Sequence, residues 1–369
     1  MTDFDILREE ERIVLSLRSL YESYGYRKYK MSEFEEYRLY MENKNFLVSE
    51  SVIAFTDLDG RLLALKPDVT LSIVRHAGDC EQRVYYNESV YRPDKAKRAF
   101  REISQMGLER IGKIDDYAVS ETVGLAAKSL YRVSKDSLIE ISHMGFAAGL
   151  MHSLGCSDTD AAEFYRLIGE KNVHSVRATA QRIGLDSDST EVLCELPTLC
   201  GAPEEVLARA KKLCRCDEMT DAIGQLSAVV SALKSCDDIC RVRLDLSLLG
   251  EADYYNGIIF AGFINGLPSR VLSGGRYDMM LKKFGHTGGA IGFALYFSEL
   301  ELLFAPHTAR YDTAVIYDAD CDNAALCKLI NELAKAGSVY PCRADCEMGV
   351  LADKTVFFGK DGVKEGQKC

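Results

Sequence analysis

Three short constellations in this chain carry residue types suited to holding a small polar molecule. The first is Tyr254-Tyr255, which precedes an apolar run from Asn256 to Ile264 and is followed by the pairs Gly274-Gly275 and Gly288-Gly289. Adjacent glycines let backbone approach backbone or ligand closely, so polar aromatics above glycine-rich strands make a floor and wall for a ligand. The second is Gln105-x-Gly107-x-Glu109. In an extended strand Arg101, Ile103, Gln105, Gly107 and Glu109 share one face, which leaves an open polar floor. The third is Asp68 with Thr70, flanked by Lys66 and Arg75. Either side chain can accept a bond from an orphan N–H at the start of a helix. Each constellation has a plainer alternative: a meander with core tyrosines, a solvent-facing strand side, and a helix cap. His143, His152 and His174 are scattered and read as structural.

The elements that would position these residues follow from periodicity. Leu244, Leu246 and Leu248 alternate with Asp245 and Ser247, which predicts a half-buried strand, and Asn265-Gly266 predicts a tight hairpin after the next strand. Ile13, Leu17, Leu20, Tyr21 and Tyr24 recur at helical spacing up to Gly25, an opening amphipathic helix. Asp59-Gly60 lies between two apolar runs in the segment from Val52 to Leu65, a hairpin that Pro67 ends. Arg83 to Arg92 reads as a central strand, then a basic loop with Lys95, Lys97 and Arg98, then a second strand through Glu109. A helix is expected from Asp115 and Asp116, a buried strand over Ser137–His143, and short helices from about 150 to 235, broken at Gly155, Gly184, Pro197 and Gly201. After Pro306, strand-like and helix-like stretches alternate in a small α/β piece. The expected organisation is a main domain over 1–305 and a C-terminal segment over 306–369.

Composition bounds the possibilities. A chain of 369 residues with 47% hydrophobic and 27% charged residues is that of an ordinary globular protein with a sizeable core. No run approaches the roughly 20 apolar residues of a membrane span. The start MTDFDILREEER is acidic and polar, unlike a signal peptide, so a cytoplasmic location without membrane association is expected. Thirteen cysteines, an odd number without an export signal, point to reduced thiols. Cys214, Cys216, Cys236 and Cys240 lack the spacing of a common zinc ribbon, and Cys342 and Cys346 are read likewise, so neither metal nor cofactor is expected. The net charge of −11 argues weakly against a nucleic-acid partner such as tRNA, whose phosphates call for a basic footprint.

DYYNGIIF, SGGRYD and AIGFAL, in that order, resemble the closing blocks of the catalytic domain of histidyl-tRNA synthetase and its paralogues. Residues 5 to 305 are similar to that family throughout. The resemblance implies an α+β fold of the class II aminoacyl-tRNA synthetase kind, an antiparallel sheet flanked by helices, with a helical insertion at about 150–235. It also implies roles. LKPDVT is similar to the family block L-R-P-E-G-T, whose acid and threonine hold the amino group of histidine, which places Asp68 and Thr70 there. An acid and a hydroxyl supply the counter-charge and acceptor that an ammonium group needs. Arg92 falls on the arginine of the second class II motif, which contacts the substrate carboxylate or the α-phosphate of ATP. Gln105 and Glu109 match Q-x-G-x-E, and Tyr254 and Tyr255 match the aromatic pair of R-G-L-D-Y-Y, completing an expected histidine site.

Departures from the pattern separate relatives. Gly250, followed by Glu251 and Ala252, stands where the family has the arginine of R-G-L-D-Y-Y, and Glu299 stands where G-L-E-R ends the third motif. A loop arginine aligns with Ala99. Adenylation needs positive charge over the phosphates, so a glycine and a carboxylate at these places weaken transition-state stabilisation and repel ATP. Histidine-binding groups kept and ATP-handling groups lost are similar to the ATP phosphoribosyltransferase regulatory subunits. This resemblance implies a non-catalytic homodimer that docks with a short-form catalytic subunit and confers feedback inhibition by histidine. A diverged histidine–tRNA ligase and a synthetase-like sensor of another small molecule are the alternatives. Arg276 of SGGRYD stays outside the expected ligand set and is read as structural.

Overall fold

Two long alternating runs joined by a short basic loop set the centre of the fold, because only side-by-side pairing satisfies the backbone groups of such strands. The computed structural model describes residues 7–47, 51–78, 80–94, 98–250, 254–304, 310–360 and 362–365. They divide into two compact units, one of Glu10–Glu301 and one of Leu302–Cys369 with Met1–Glu9.

The chain enters through α1 (Glu9–Ser23), which buries Ile13, Leu17, Leu20 and Tyr21 along one side. It turns where Gly25 takes a φ of 81°, a left-handed conformation that costs glycine no Cβ clash. There follow β1 (Arg27–Lys28), β2 (Phe34–Glu36), α2 (Tyr37–Glu42) and the hairpin of β3 (Ala54–Thr56) and β4 (Leu62–Leu65). Beyond α3 (Thr70–Arg75), β5 (Gln82–Asp94) and β6 (Ala99–Gly112) pair antiparallel from Gln82↔Ile111 to Asp94↔Ala99. Asp115 caps α4 (Asp116–Val133) by accepting the Ala118 N–H at 2.9 Å, and β7 (Ser137–His143) comes next.

A helical segment then runs through α5 (Met144–Ser153), α6 (Asp158–Gly169), α7 (Val173–Arg182), α8 (Ser187–Glu195), the short β8 (Cys200–Gly201), α9 (Pro203–Leu213) and α10 (Asp217–Lys234). Ser157, Asn172 and Asp186 each cap the helix that follows. The chain returns to the sheet as β9 (Arg241–Asp245), β10 (Ile258–Ile264), β11 (Leu272–Arg276), α11 (Asp278–Lys283), β12 (Gly289–Tyr296) and α12 (Phe297–Leu300). Among the described residues nine strands form one sheet in the order β1-β5-β6-β12-β11-β10-β7-β9-β8. Neighbours are antiparallel except β1 with β5 and β7 with β9. β2, β4 and β3 make a separate three-stranded sheet.

One face of the large sheet is closed by helices. Leu130 of α4 lies over Gly262, where a Cβ would stand 2.6 Å from the leucine, and Tyr21 of α1 meets Phe293 edge-on at 6.1 Å while bonding Ser129 of α4 at 2.9 Å. The opposite face is different. The register aligns Gln105, Gly107 and Glu109 with Tyr296, Ala294 and Gly292, then with Ser273 and Gly275, and then with Ala261 and Ile259. Small side chains across four strands leave that face hollow.

Two sequence expectations are corrected here. The leucine alternation is strand only as far as Asp245, whose carboxylate accepts from Lys171 Nζ at 2.7 Å and from the Ser247 N–H at 3.0 Å. Leu246 turns instead to the Leu199 carbonyl. Asn265-Gly266 does not make a two-residue hairpin: Asn265 is tied to Asp136 through its backbone and its side chain, and β11 begins only at Leu272.

In the second unit β13 (Arg310–Tyr317) lies parallel to β14 (Val339–Arg343) and β15 (Leu351–Gly359), and β16 (Gly362–Glu365) pairs antiparallel with β15. α13 (Asn323–Ala334), capped by Asp322, packs on this sheet over a small core of Val315, Leu326 and Phe358. The described cysteines are free thiols, and among the described residues no group of three or more His, Cys, Asp or Glu is placed to hold a metal ion. Also among the described residues, no helix is long and apolar enough to cross a membrane.

Candidate functional site

The hollow face of the sheet becomes a cavity of about 500 Å³. Its floor is glycine-rich for a steric reason. A Cβ at Gly275 would stand 2.7 Å from the Tyr255 ring, and one at Gly107 would meet the Tyr86 hydroxyl at 2.5 Å. A Cβ at Gly292 would collide with the Glu109 carboxylate. These glycines let large polar side chains lie flat against the sheet. Tyr254 and Tyr255 pack against each other with centroids 4.5 Å apart, and Phe46 and Tyr277 flank Tyr254.

Glu109 is the buried centre of the cavity. Its Oε1 accepts from Thr70 Oγ1 at 2.8 Å, and its Oε2 accepts a short bond from the Tyr277 hydroxyl. Burial nevertheless pushes its carboxyl up to about 8, so it is largely protonated at neutral pH. Asp68 is also raised by burial, against the opposing charge of Arg92. Its Oδ1 accepts the Leu71 N–H at 2.8 Å and its Oδ2 accepts from Arg92 Nη2 at 3.2 Å, so one carboxylate both caps α3 and faces the cavity. The second reach of Arg92 goes to the Pro67 carbonyl, 2.7 Å from Nε. Gln105 is 3% exposed and its Oε1 has no hydrogen-bond partner. A buried unpaired acceptor is costly, and a ligand donor would satisfy it.

All seven residues expected from the sequence, Asp68, Thr70, Arg92, Gln105, Glu109, Tyr254 and Tyr255, line this one cavity. Gly250 and Glu299 line it as well. A side chain at Gly250 would press on Tyr255 at 2.6 Å and Ile259 at 2.9 Å. Glu299 accepts from Arg101 Nη2 at 2.7 Å and from Ser269 Oγ at 2.6 Å, and the Ser269 hydroxyl with Arg101 holds its carboxyl below the ordinary value. Arg276 bonds Asp278, which in turn accepts from the Asn256 side chain and the Ala290 N–H, a network that fixes strand ends. Glu251, Ala252, Lys95 and Lys97 lie outside the described residues, and Ala99 is exposed on β6.

Sequence reasoning missed Tyr86, Tyr277, Ser273, Tyr296 and Arg270, which also line the cavity. Tyr277 had a signal, being next to Arg276 in the SGGRYD block. Tyr86 and Tyr296 could be found only by knowing which strands pair and in what register, and Arg270 precedes its strand in an irregular connection.

The histidyl-tRNA synthetase family model matches residues 5–300. The chain is 31% identical to an ATP phosphoribosyltransferase regulatory subunit of Caldanaerobacter subterraneus over 79% of this chain and 78% of the relative. The chain belongs to the ATP phosphoribosyltransferase regulatory subunit family, paralogues of histidyl-tRNA synthetase. Solved structures agree on the fold of this family. A protein of Bacillus halodurans, described as an ATP phosphoribosyltransferase regulatory subunit/histidyl-tRNA synthetase, superposes with a TM-score of 0.78 at 23% identity, covering 94% of this chain and 93% of that one. A chain of the ATP phosphoribosyltransferase complex from Thermotoga maritima superposes at 0.62 with 18% identity, covering 77% and 96%. The α+β, class II synthetase-like architecture expected from the sequence is therefore that of this chain.

Proposed function

We propose that this chain is the non-catalytic regulatory subunit of an ATP phosphoribosyltransferase, needed for the first step of histidine biosynthesis and for its feedback inhibition by histidine. One observation supports the reading: a single cavity gathers the seven residues that the synthetase resemblance implies for holding histidine, and Glu299, which that resemblance sets at the place of the third motif's arginine, lines it too and is paired with Arg101. Asp68 and Thr70 hold the ammonium group, Glu109, Tyr254 and Tyr255 surround the ring, and Gln105 supplies its free acceptor. Arg92 stands by as the partner of Asp68. With Gly250 and an already paired Glu299 at the places of two arginines, a triphosphate lacks the positive charge that adenylation needs, so bound histidine is sensed and not activated.

The subunit pairs with a second copy of itself and docks with short-form catalytic subunits. Support for that partnership comes from the relatives' names and from the Thermotoga maritima complex. Inhibition follows if histidine binds the less active state of the assembly more tightly than the active one. The test is calorimetric titration with histidine and with ATP, followed by assay of the catalytic partner with and without this chain. Histidine binding, no ATP binding, and partner activity that depends on this chain and falls with histidine are the expected results. Histidine-dependent pyrophosphate exchange by the chain alone would instead make it a histidine–tRNA ligase.

A further inference from the structure

The cavity contains one charge that the proposed function leaves unused. Of the cationic side chains lining it, Arg92 is committed to Asp68 and to the Pro67 carbonyl. Arg270 also lines the cavity, is exposed on the connection between β10 and β11, and makes no hydrogen bond or ion pair with the described residues. The neighbouring acids are taken: Glu299 by Arg101 and Ser269, and Asp68 by Arg92 and the Leu71 N–H. Glu109 is held largely neutral by burial. One positive charge therefore remains uncompensated at this site among the described residues.

Its position is informative. Tyr296 pairs with Gln105 and its N–H bonds the Val271 carbonyl, so Arg270 stands at the Gln105 end of the floor, away from Glu109. Its charge acts on the Tyr255 hydroxyl, and Tyr255 is the same ring that a side chain at Gly250 would strike. Any side chain at 250 would press on that ring, whereas Arg270 reaches the cavity from the connection between β10 and β11.

We propose that Arg270 is the carboxylate anchor of this cavity, binding the α-carboxylate of the amino acid whose ammonium group faces Asp68 and Thr70. A guanidinium fork matches a carboxylate in two parallel hydrogen bonds, and Arg270 is the lining cation with no hydrogen bond or ion pair to the described residues. The inference rests on the amino-acid-sensor reading but names a residue which that reading does not require.

The test uses the full chain, wild type, Arg270→Gln and Arg270→Lys, titrated with L-histidine, L-histidine amide, a panel of other amino acids, and inorganic phosphate. Arg270 is exposed, so neither variant disturbs the core. Histidine affinity is expected to fall about 10- to 100-fold in Arg270→Gln, with partial rescue by lysine. The amide, which lacks the carboxylate charge, is expected to bind weakly and equally to wild type and Arg270→Gln. A merely structural role would move both ligands together and would overturn the proposal, as would unchanged histidine affinity in Arg270→Gln. Loss of phosphate binding alone in Arg270→Gln would also overturn it, assigning the arginine to another anion. If wild type ignores histidine but binds another amino acid in an Arg270-dependent way, the histidine reading fails and the anchor stands. If no amino acid binds wild type, both fail.

Discussion

Glu109 shows how one buried group governs both stability and binding. Its carboxyl is held at about 8 against an ordinary 4.5, so the folded chain binds a proton that the unfolded chain releases over that interval. The stabilising contribution is complete below about pH 4.5 and is lost as pH rises through 8. Glu109→Gln removes the titration, so its melting temperature is expected to fall less than that of wild type between pH 5 and pH 8, measured by calorimetry in matched buffers. An equal decline in both proteins would show that Glu109 is not the group responsible. Its neighbour Gly292 gives a second expectation. A methyl group there collides with Glu109 and the Leu108 carbonyl, so Gly292→Ala is expected to lose about 1–3 kcal/mol in urea unfolding, the usual cost of overpacking. Histidine binding is expected to weaken with it, because the displaced carboxylate can no longer keep its bonds from both Thr70 and Tyr277.

At the scale of elements, the start of α3 carries two functions on one side chain. Asp68 caps the helix through Leu71 and neutralises Arg92, so the cap and site readings of this residue describe one geometry. Asp68→Ala is expected to cost about 1–2 kcal/mol for the lost cap, with a further loss from leaving Arg92 without its counter-charge. Asp68→Asn keeps a capping oxygen and is expected to cost less, while both variants weaken histidine binding alike. Urea unfolding and titration on the two variants separate these effects, and equal stability loss would remove the cap from the account. The same division explains what the sequence could reveal. The β3–β4 turn, the start of α4 and the β7 strand were legible because each depends on residues within a few positions, as did the shared face of Gln105 and Glu109. The end of β9 was not, since Asp245 is turned aside by Lys171, a residue distant in the chain. The long β10–β11 connection depends likewise on Asp136. Tyr86 and Arg270 reach the cavity only through strand order, which no local pattern encodes. The seven named ligand-side residues were found through family motifs, and periodicity alone would have supplied only the Gln105–Glu109 face and the aromatic pair.

For the whole molecule, the cavity and its supporting bonds are confined to the unit of Glu10–Glu301, whereas Leu302–Cys369 builds its own small core on Val315, Leu326 and Phe358. Each sheet is completed within its own unit, so the backbone groups of one do not depend on strands of the other. A chain ending at Phe304 is therefore expected to fold and to bind histidine with unchanged affinity, because the cavity lining and the nine-stranded sheet belong to the larger unit. Two such units also predict two calorimetric transitions for the full chain, since independent cores need not melt together. The truncated chain should keep one of them, at the same temperature, together with the shift that histidine produces. Loss of the histidine-dependent shift in a truncated chain that remains folded would show that the second unit completes the ligand site. A single concerted transition in the full chain would show that the two cores unfold as one, and the assignment of sensing to the larger unit alone would fall.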